Sequence, residues 1–210
     1  MADYDAITQA LVQCDADKVN QLVQSMLDEG NSAGDILNQG LVAGMDIIGD
    51  KMENGDMFIP EVLMAAQIMS GAVDTLKPLL AEGDVKVKGK VVIGTVKGDL
   101  HDIGKNLVAM MLASSGLEVI NLGVDISPEQ FVAEIKSQQA QILCLSALLT
   151  TTMPMMKATI DALADNGLRE QVKVMVGGAP VTQNFADEIG ADGFATDAGS
   201  AAKMAKALVN

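Results

Sequence analysis

The only histidine of the chain, His101, lies in the segment GDLHDIG at residues 98–104, between Asp99 and Asp102. An imidazole that binds a carboxylate through one ring nitrogen can coordinate a metal through the other. One histidine cannot hold a bare zinc ion, which takes three or four protein ligands. The segment therefore predicts either an ordinary polar turn or a ligand for a metal that is already held in a macrocycle.

Haem is one such macrocycle, but the chain has only five aromatic residues with which to line a porphyrin. The glycines around His101 also differ from those of a phosphate-binding loop. Neither G-x-G-x-x-G nor G-x-x-x-x-G-K-[ST] occurs in the sequence. A nucleotide-binding domain of the usual kind is therefore not expected.

The elements that must position His101 are predicted from the second half of the chain, where short apolar segments alternate with helical patterns. Five segments are predicted strands: KVVIGTV (90–96), LEVINLG (117–123), QILCLSA (141–147), VKVMVGG (172–178) and DGFAT (192–196). Such alternation predicts an α/β fold with a doubly wound, flavodoxin-like (Rossmann-type) parallel sheet of five strands. In the strand order 2-1-3-4-5, ligands bind where the order reverses, between the first and third strands.

Three unusual loops follow the first, third and fourth predicted strands: KGDLHDIG (97–104), SALLTTTMP (146–154) and GGAPVT (177–182). The carboxyl ends of parallel strands lie at one edge of a sheet, so these loops are expected to meet there. Each loop alone also fits an ordinary turn or a helix cap. Their convergence is what favours a binding site.

The first half of the chain predicts a different domain. Apolar residues recur at helical spacing and indicate about four helices in a small bundle, so we expect a helical domain at 1–86 and the α/β domain at 87–210. The charge changes near the same place. Residues 1–82 contain fourteen acidic residues and three lysines, a net charge of −11, whereas residues 83–210 contain fourteen acidic and eleven basic residues, a net charge of −3. The polar segment 82–89 is the predicted linker.

Composition excludes several classes of function. An acidic chain with a net charge of −14 argues against nucleic acid as a partner. No apolar run approaches the roughly 18 to 20 residues of a membrane span, and an acid stands where a secretory signal would carry positive charge. Cys14 and Cys144 lack metal or redox spacing. We therefore expect a cytoplasmic protein with buried free thiols.

Three parts of the second half, taken together, resemble the D-x-H-x-x-G … S-x-L … G-G signature of cobalamin-binding domains. The matching parts are Asp99-x-His101-x-x-Gly104, Ser146-x-Leu148 and Gly177-Gly178. The first half, and above all residues 55–80, resembles the helical cap of methionine synthase and of the small corrinoid proteins of methyltransferase systems. The resemblance covers nearly the whole chain.

The resemblance implies that His101 Nε2 is the lower axial ligand to the cobalt of cobalamin or a related cobamide, in place of the cofactor's own base. Asp99 would accept a hydrogen bond from the other ring nitrogen of His101, and Thr152 would complete this hydrogen-bond chain at the place where methionine synthase has a serine. The full implied cofactor-binding set is His101, Asp99, Asp102, Ile103, Gly104, Ser146, Leu148, Thr150, Thr152, Gly177, Gly178, Phe58 and Met64. Phe58 and Met64 would cover the upper face of the cobalt. The glycines, with Gly94, would leave room for the displaced nucleotide tail.

The resemblance also implies a function as a methyl carrier. A substrate-specific methyltransferase would load the cobalt with a methyl group, and an acceptor methyltransferase would pass it to tetrahydrofolate or a thiol. A reductive activator is a third expected partner. The chain is not expected to catalyse this chemistry alone, because its 210 residues leave no room for a substrate barrel of about 250 residues. The donor, whether methanol, a methylamine or a methoxylated aromatic, stays open.

Three other classes fit less well. A cobalamin-based sensor shares cap and sheet but normally carries a DNA-binding segment. A radical mutase subunit shares the D-x-H-x-x-G module but usually lacks the cap, and it would need adenosylcobalamin. A receiver-type domain without a corrin would leave the Ser146 and Gly177-Gly178 loops unexplained.

Overall fold

The computed structural model describes residues 3–80 and 89–209. The chain divides into two compact units, Met1–Val87 with Ser114–Gly116, and Lys88–Ala113 with Leu117–Asn210. All of the predicted linker except its last residue, Gly89, lies outside the described residues. Within the described ranges, no helix combines the length and the apolar composition that crossing a membrane would require.

The first unit is helical. Its elements are α1 (Tyr4–Val12), α2 (Ala16–Asp28), α3 (Ala33–Asp35), a π-helical segment (Ile36–Val42), α4 (Ala43–Glu53), α5 (Ile59–Leu76) and a 3₁₀ turn (Lys77–Leu79). Because α3, the π-helical segment and α4 follow one another without a break, described residues 3–80 form four long helical elements. This confirms the predicted four-helix cap.

Three helices of the first unit begin at side chains that cap them. Asp3, Asp15 and Ser32 each accept a hydrogen bond from an amide of the following first turn. The π-helical segment packs closely on α1, where the Thr8 hydroxyl donates to the carbonyl of Gly40 over 2.9 Å. A Cβ added to Gly40 would lie 3.1 Å from Ile7, so a glycine permits this approach.

From residue 90 onward, strands and helices alternate. They are β1 (Lys90–Thr95), α6 (Ile103–Ser114), β2 (Glu118–Asn121), α7 (Pro128–Gln138), β3 (Ile142–Ser146), α8 (Pro154–Asp165), β4 (Lys173–Gly177), α9 (Gln183–Ile189), β5 (Gly193–Phe194) and α10 (Ala198–Leu208). The five strands form one parallel sheet in the order β2-β1-β3-β4-β5. This confirms the predicted fold class.

The strand register aligns the ends that carry the three loops. Thr95, the last residue of β1, pairs with Ser146 of β3, and Ser146 pairs with Gly177 of β4. The order of the sheet reverses between β1 and β3. The three loops therefore start at one level of the sheet, at the place where such folds bind ligands.

Gly94 of β1 packs closely against side chains of the protein, which is not the role that the resemblance implied. A Cβ added to Gly94 would lie 2.7 Å from the ring of Phe131 and 3.3 Å from Ile126. Phe131 is fully buried on α7. The expectation that Gly94 leaves room for a nucleotide tail is therefore wrong, because the Phe131 ring already fills that space and packs α7 on the sheet.

Candidate functional site

The loops that follow β1, β3 and β4 are tied together by their backbones. The amide of Val96 donates to the carbonyl of Ser146 over 3.0 Å, and the amide of Ala147 donates to the carbonyl of Gly177 over 3.2 Å. Gly178 has a φ of +133°, and a Cβ there would collide with the carbonyl oxygen of Ala147. Only glycine allows the third loop to approach the second so closely.

The centre of the site is the carboxylate of Asp99, whose side chain is fully buried. Its Oδ1 lies 2.7 Å from Nδ1 of His101 and accepts from the His101 amide over 3.1 Å. Its Oδ2 accepts from the amides of Leu148 and Leu149, over 2.8 and 3.3 Å. The Thr152 hydroxyl donates to the same oxygen over 2.7 Å. Both oxygens of the buried carboxylate are therefore used, one towards each loop.

These hydrogen bonds fix the protonation of the site. Burial alone would raise the pKa of Asp99, but the hydrogen bonds from His101, Leu148 and Thr152 outweigh it and hold the pKa well below its ordinary value. At neutral pH the carboxylate is charged and can only accept hydrogen bonds. Nδ1 of a neutral His101 must then carry the proton, which leaves the lone pair on Nε2.

His101 presents its ring to the surface, with half of the side chain exposed. Nδ1 and the backbone amide both bind Asp99, and the backbone carbonyl accepts from the hydroxyl of Thr95 over 2.8 Å. Nε2 has no hydrogen-bond partner among the residues that the structure describes. The imidazole is thus held by the protein through its other atoms and offers one nitrogen to a ligand.

The loop that carries His101 is also held from the side of β2. The amide of Gly98 donates to Oδ1 of Asp125 over 2.7 Å, and the amide of Asp125 donates to the carbonyl of Asp99 over 3.1 Å. Asp125 has a φ of +58°. The sequence analysis missed Thr95 and Asp125, although a threonine at the end of an apolar strand was a usable signal.

A second buried polar group, also missed by the sequence analysis, lies at the start of α6. Lys105 is 4% exposed, and its Nζ donates to the side-chain oxygens of Asn106 and Asn121 over 2.6 and 2.7 Å. The Asn106 amide group donates in turn to Oδ2 of Asp102 over 2.9 Å. Burial lowers the pKa of Lys105, and the charge of Asp102 opposes this. The network holds the residue that follows His101.

Four apolar side chains of the site are exposed to solvent. Leu100 is 72% exposed, Ile103 is 88% exposed, and Leu148 and Leu149 are each 42% exposed. A Cβ added to Gly104 would meet nothing within 4 Å. Exposed apolar side chains grouped beside a functional residue are typical of a ligand-binding surface. The resemblance implied Ile103, Leu148 and Gly104, whereas Leu100 and Leu149 were not predicted.

The other predicted residues have mixed positions. Ser146 and Gly177 end adjacent strands and are half-buried, and Thr150 is exposed on the loop between β3 and α8. Phe58 and Met64 belong to the first unit, where their side chains are 68% and 51% exposed. Their role over the upper face of the cobalt stays a prediction.

The donor set excludes a bare metal ion at this site. Across residues 3–80 and 89–209, no group of three or more His, Cys, Asp or Glu side chains could hold a metal. A single exposed imidazole, oriented by a buried carboxylate and close in the chain to exposed leucine and isoleucine side chains, instead suits a metal whose other ligands come from a flat macrocycle. The residues present fit such a group.

Comparison with known proteins identifies the macrocycle. Residues 89–203 match the B12 binding domain family, and residues 4–77 match a second family that is also described as a B12 binding domain. The chain belongs to the corrinoid proteins. This corrinoid protein binds cobalamin or a related cobamide, as the D-x-H-x-x-G resemblance implied.

Relatives of this corrinoid protein match it over almost its whole length. The dimethylamine corrinoid protein 1 of Methanosarcina acetivorans is 45% identical over 95% of this chain and 94% of its own. The crystal structure of a cobalamin-binding protein from Desulfitobacterium hafniense has a TM-score of 0.87 and 34% identity over the whole of both chains. The methanol:cobalamin methyltransferase complex of Methanosarcina barkeri has a TM-score of 0.84 and 31% identity, over 97% of this chain and 78% of that one.

Proposed function

We propose that this corrinoid protein is a methyl carrier that binds its cobamide with the base displaced and with His101 as the lower ligand. It would shuttle a methyl group between a substrate:corrinoid methyltransferase and an acceptor methyltransferase. The observation that carries the proposal is the buried Asp99 carboxylate, which orients a half-exposed imidazole and leaves Nε2 for the cobalt. When bound, the cofactor supplies a cobalt atom that accepts and releases a methyl group.

The role of Asp99 is to fix which nitrogen of His101 binds. Oδ1 of Asp99 accepts the hydrogen bond from Nδ1 of His101. If the neutral ring flipped, the buried carboxylate of Asp99 would lose this donor. A carboxylate on the far nitrogen also makes a ligating imidazole more basic. The Thr152 hydroxyl and the amides of Leu148 and Leu149 hold Asp99 in the position that this requires.

The surroundings of His101 would accept the rest of the cofactor. Leu100 precedes His101 in the loop, Ile103 begins α6, and both side chains are mostly exposed, so a corrin ring over His101 would cover apolar surface. Space is open in front of Gly104, where a side chain could otherwise stand. This space would hold the displaced nucleotide tail.

The names of the relatives support a place in methyl transfer. One is a dimethylamine corrinoid protein, and another belongs to a methanol:cobalamin methyltransferase complex. A methylamine or methanol methyltransferase would therefore be the donor-side partner of this chain. An acceptor methyltransferase for tetrahydrofolate or a thiol and a reductive activator complete the proposed system.

The first test is the absorbance spectrum of the protein after reconstitution with hydroxocobalamin, compared with that of His101→Ala. We expect the wild-type protein to retain the corrinoid with its own base displaced, and the lower-ligand bands to change in the variant. Asp161→Asn is the matched control, since it alters an exposed carboxylate on α8 that pairs with Lys157 and has no part in the site. Identical bands in the wild-type protein and His101→Ala, or no retained corrinoid, would overturn the assignment.

A further inference from the structure

Thr95 lies directly beneath the histidine loop. It is the last residue of β1 and is fully buried. Its amide donates to the carbonyl of Gly123 over 3.0 Å, and its carbonyl accepts from the amide of Ile126 over 3.0 Å. Its hydroxyl donates to the carbonyl of His101 over 2.8 Å. The backbone of Thr95 is thus fixed by the sheet and the loop after β2, and its side chain is fixed by the histidine loop.

The hydrogen bond from Thr95 restrains a part of His101 that Asp99 does not contact. Asp99 binds the ring and the amide of His101, and both of these bonds end on the same oxygen, Oδ1. A residue held at one point can still pivot about that point. The Thr95 hydroxyl holds the carbonyl on the other side of the His101 Cα, and so it restrains the rotation that would swing the imidazole.

We propose that Thr95 is a positioning residue for cofactor ligation, whose hydroxyl sets the direction of the His101 ring and thereby the strength of the bond from Nε2 to cobalt. This inference rests on the proposed ligation by His101. Thr95 need not contact the cofactor, because its hydroxyl acts on the backbone carbonyl of His101.

The test is Thr95→Val in the holoprotein, because valine keeps the shape of threonine and removes the hydroxyl. Thr95→Ser keeps the hydroxyl and is expected to restore the wild-type behaviour. Thr159→Val is the matched control: Thr159 is also fully buried, and its hydroxyl also donates to a backbone carbonyl, that of Met155, over 2.8 Å. This control removes the same kind of bond at a place that does not contact His101.

Two readouts separate positioning from folding. Electron paramagnetic resonance of the cobalt(II) state shows nitrogen splitting only when a nitrogen binds cobalt, and in protein labelled with ¹⁵N a histidine ligand gives a doublet, whereas the unlabelled base of the cofactor gives a triplet. The midpoint potential of the cobalt(II)/cobalt(I) couple rises when that bond weakens, since cobalt(I) does not retain the histidine. A two- to tenfold weaker bond, about what one lost neutral hydrogen bond gives, would raise the potential by about 20–60 mV for this one-electron couple.

We expect Thr95→Val to retain corrinoid and to show this rise, while Thr95→Ser and Thr159→Val keep the wild-type potential. An unchanged potential in Thr95→Val, with the ¹⁵N doublet present in the labelled wild-type protein, would overturn the role of Thr95. A ¹⁴N triplet or no nitrogen splitting in the labelled wild-type protein would overturn the proposed ligation by His101 itself. If Thr95→Val does not fold, Thr95→Ala is measured against Thr95→Ser by the same two readouts, and equal potentials overturn the inference.

Discussion

The hydroxyl of Thr152 lies 2.7 Å from Oδ2 of Asp99, across the carboxylate from the imidazole of His101. The two residues are 53 positions apart and follow β1 and β3, the strands between which the sheet reverses its order. The same hydroxyl lies 2.9 Å from the carbonyl of Leu149. One side chain therefore joins both loops of the site, and its single proton lies between two acceptors.

Replacing Asp99 by asparagine should disrupt the site although the shapes of the two side chains match. Asp99 receives only donors, and an asparagine would turn its NH₂ group towards either His101 or the amides of Leu148 and Leu149. A buried donor that faces another donor costs about 1–3 kcal/mol. We expect the free energy of unfolding of the apoprotein, measured in urea, to fall by about this amount, and the lower-ligand bands of the holoprotein to weaken.

Asp102→Asn provides the comparison for Asp99→Asn, because Asp102 is exposed and its carboxylate accepts from the Asn106 side chain, which an asparagine oxygen can also do. Its free energy of unfolding should stay within about 0.5 kcal/mol of the wild-type value. Equal effects of the two substitutions would contradict the central place given to Asp99.

Two substitutions of Thr152 test whether the site requires its hydroxyl group. Thr152→Ser keeps the donor to Asp99, whereas Thr152→Val leaves Oδ2 with only the two backbone amides. We expect Thr152→Val to lower the free energy of unfolding by about 1 kcal/mol more than Thr152→Ser does, and to be the only one of the two that weakens the lower-ligand bands. Similar spectra for both variants would show that the hydroxyl is not needed for ligation.

The sheet and the meeting of its loops followed from the sequence, because strands with apolar runs and intervening helices leave few arrangements. The order β2-β1-β3-β4-β5 then places the loop of Asp99 beside that of Ser146. The bonds from Leu148 and Leu149 to Asp99 could not be predicted in this way. They are made by backbone amides, which every residue except proline carries, so residue type gives no signal for them.

Lys105 and Gly94 show a second reason why sequence reasoning falls short. A lysine is normally exposed, and Lys105 is buried because its ammonium donates to the side chains of Asn106 and Asn121, 1 and 16 positions away. Gly94 was predicted to leave room for the nucleotide tail, because the sequence near it does not show that the Phe131 ring occupies the space in front of it. Asn121 and Phe131 are both distant in sequence from the residues they contact, so the local sequence gives no signal for either contact.

Gly104 and Gly178 should respond to alanine in opposite ways. At Gly178, with a φ of +133°, a Cβ would collide with the Ala147 carbonyl, so Gly178→Ala should lose at least about 2 kcal/mol of stability. At Gly104 a Cβ meets nothing within 4 Å. Thermal melts of the apoprotein should show a lower Tm for Gly178→Ala and an unchanged or slightly higher Tm for Gly104→Ala.

Gly104 should matter for cofactor binding although it matters little for the stability of the apoprotein. If the nucleotide tail occupies the space before Gly104, a larger side chain there will exclude it without harming the fold. Gly104→Leu should therefore melt like the wild-type apoprotein but bind hydroxocobalamin more weakly, as measured by equilibrium dialysis. Wild-type affinity in this variant would place the tail elsewhere.

Lys105 should make stability depend on alkaline pH. Burial lowers its pKa in the folded chain below the ordinary value of 10.5, so the unfolded chain holds this proton more tightly. The free energy of unfolding should then rise with pH as the solution approaches that value. Urea unfolding at about pH 8 and about pH 10 should show a larger gain for the wild-type protein than for Lys105→Met. Lys97→Met, which removes an exposed ammonium, controls for net charge, and parallel pH profiles for wild type and Lys105→Met would contradict the buried position of the ammonium.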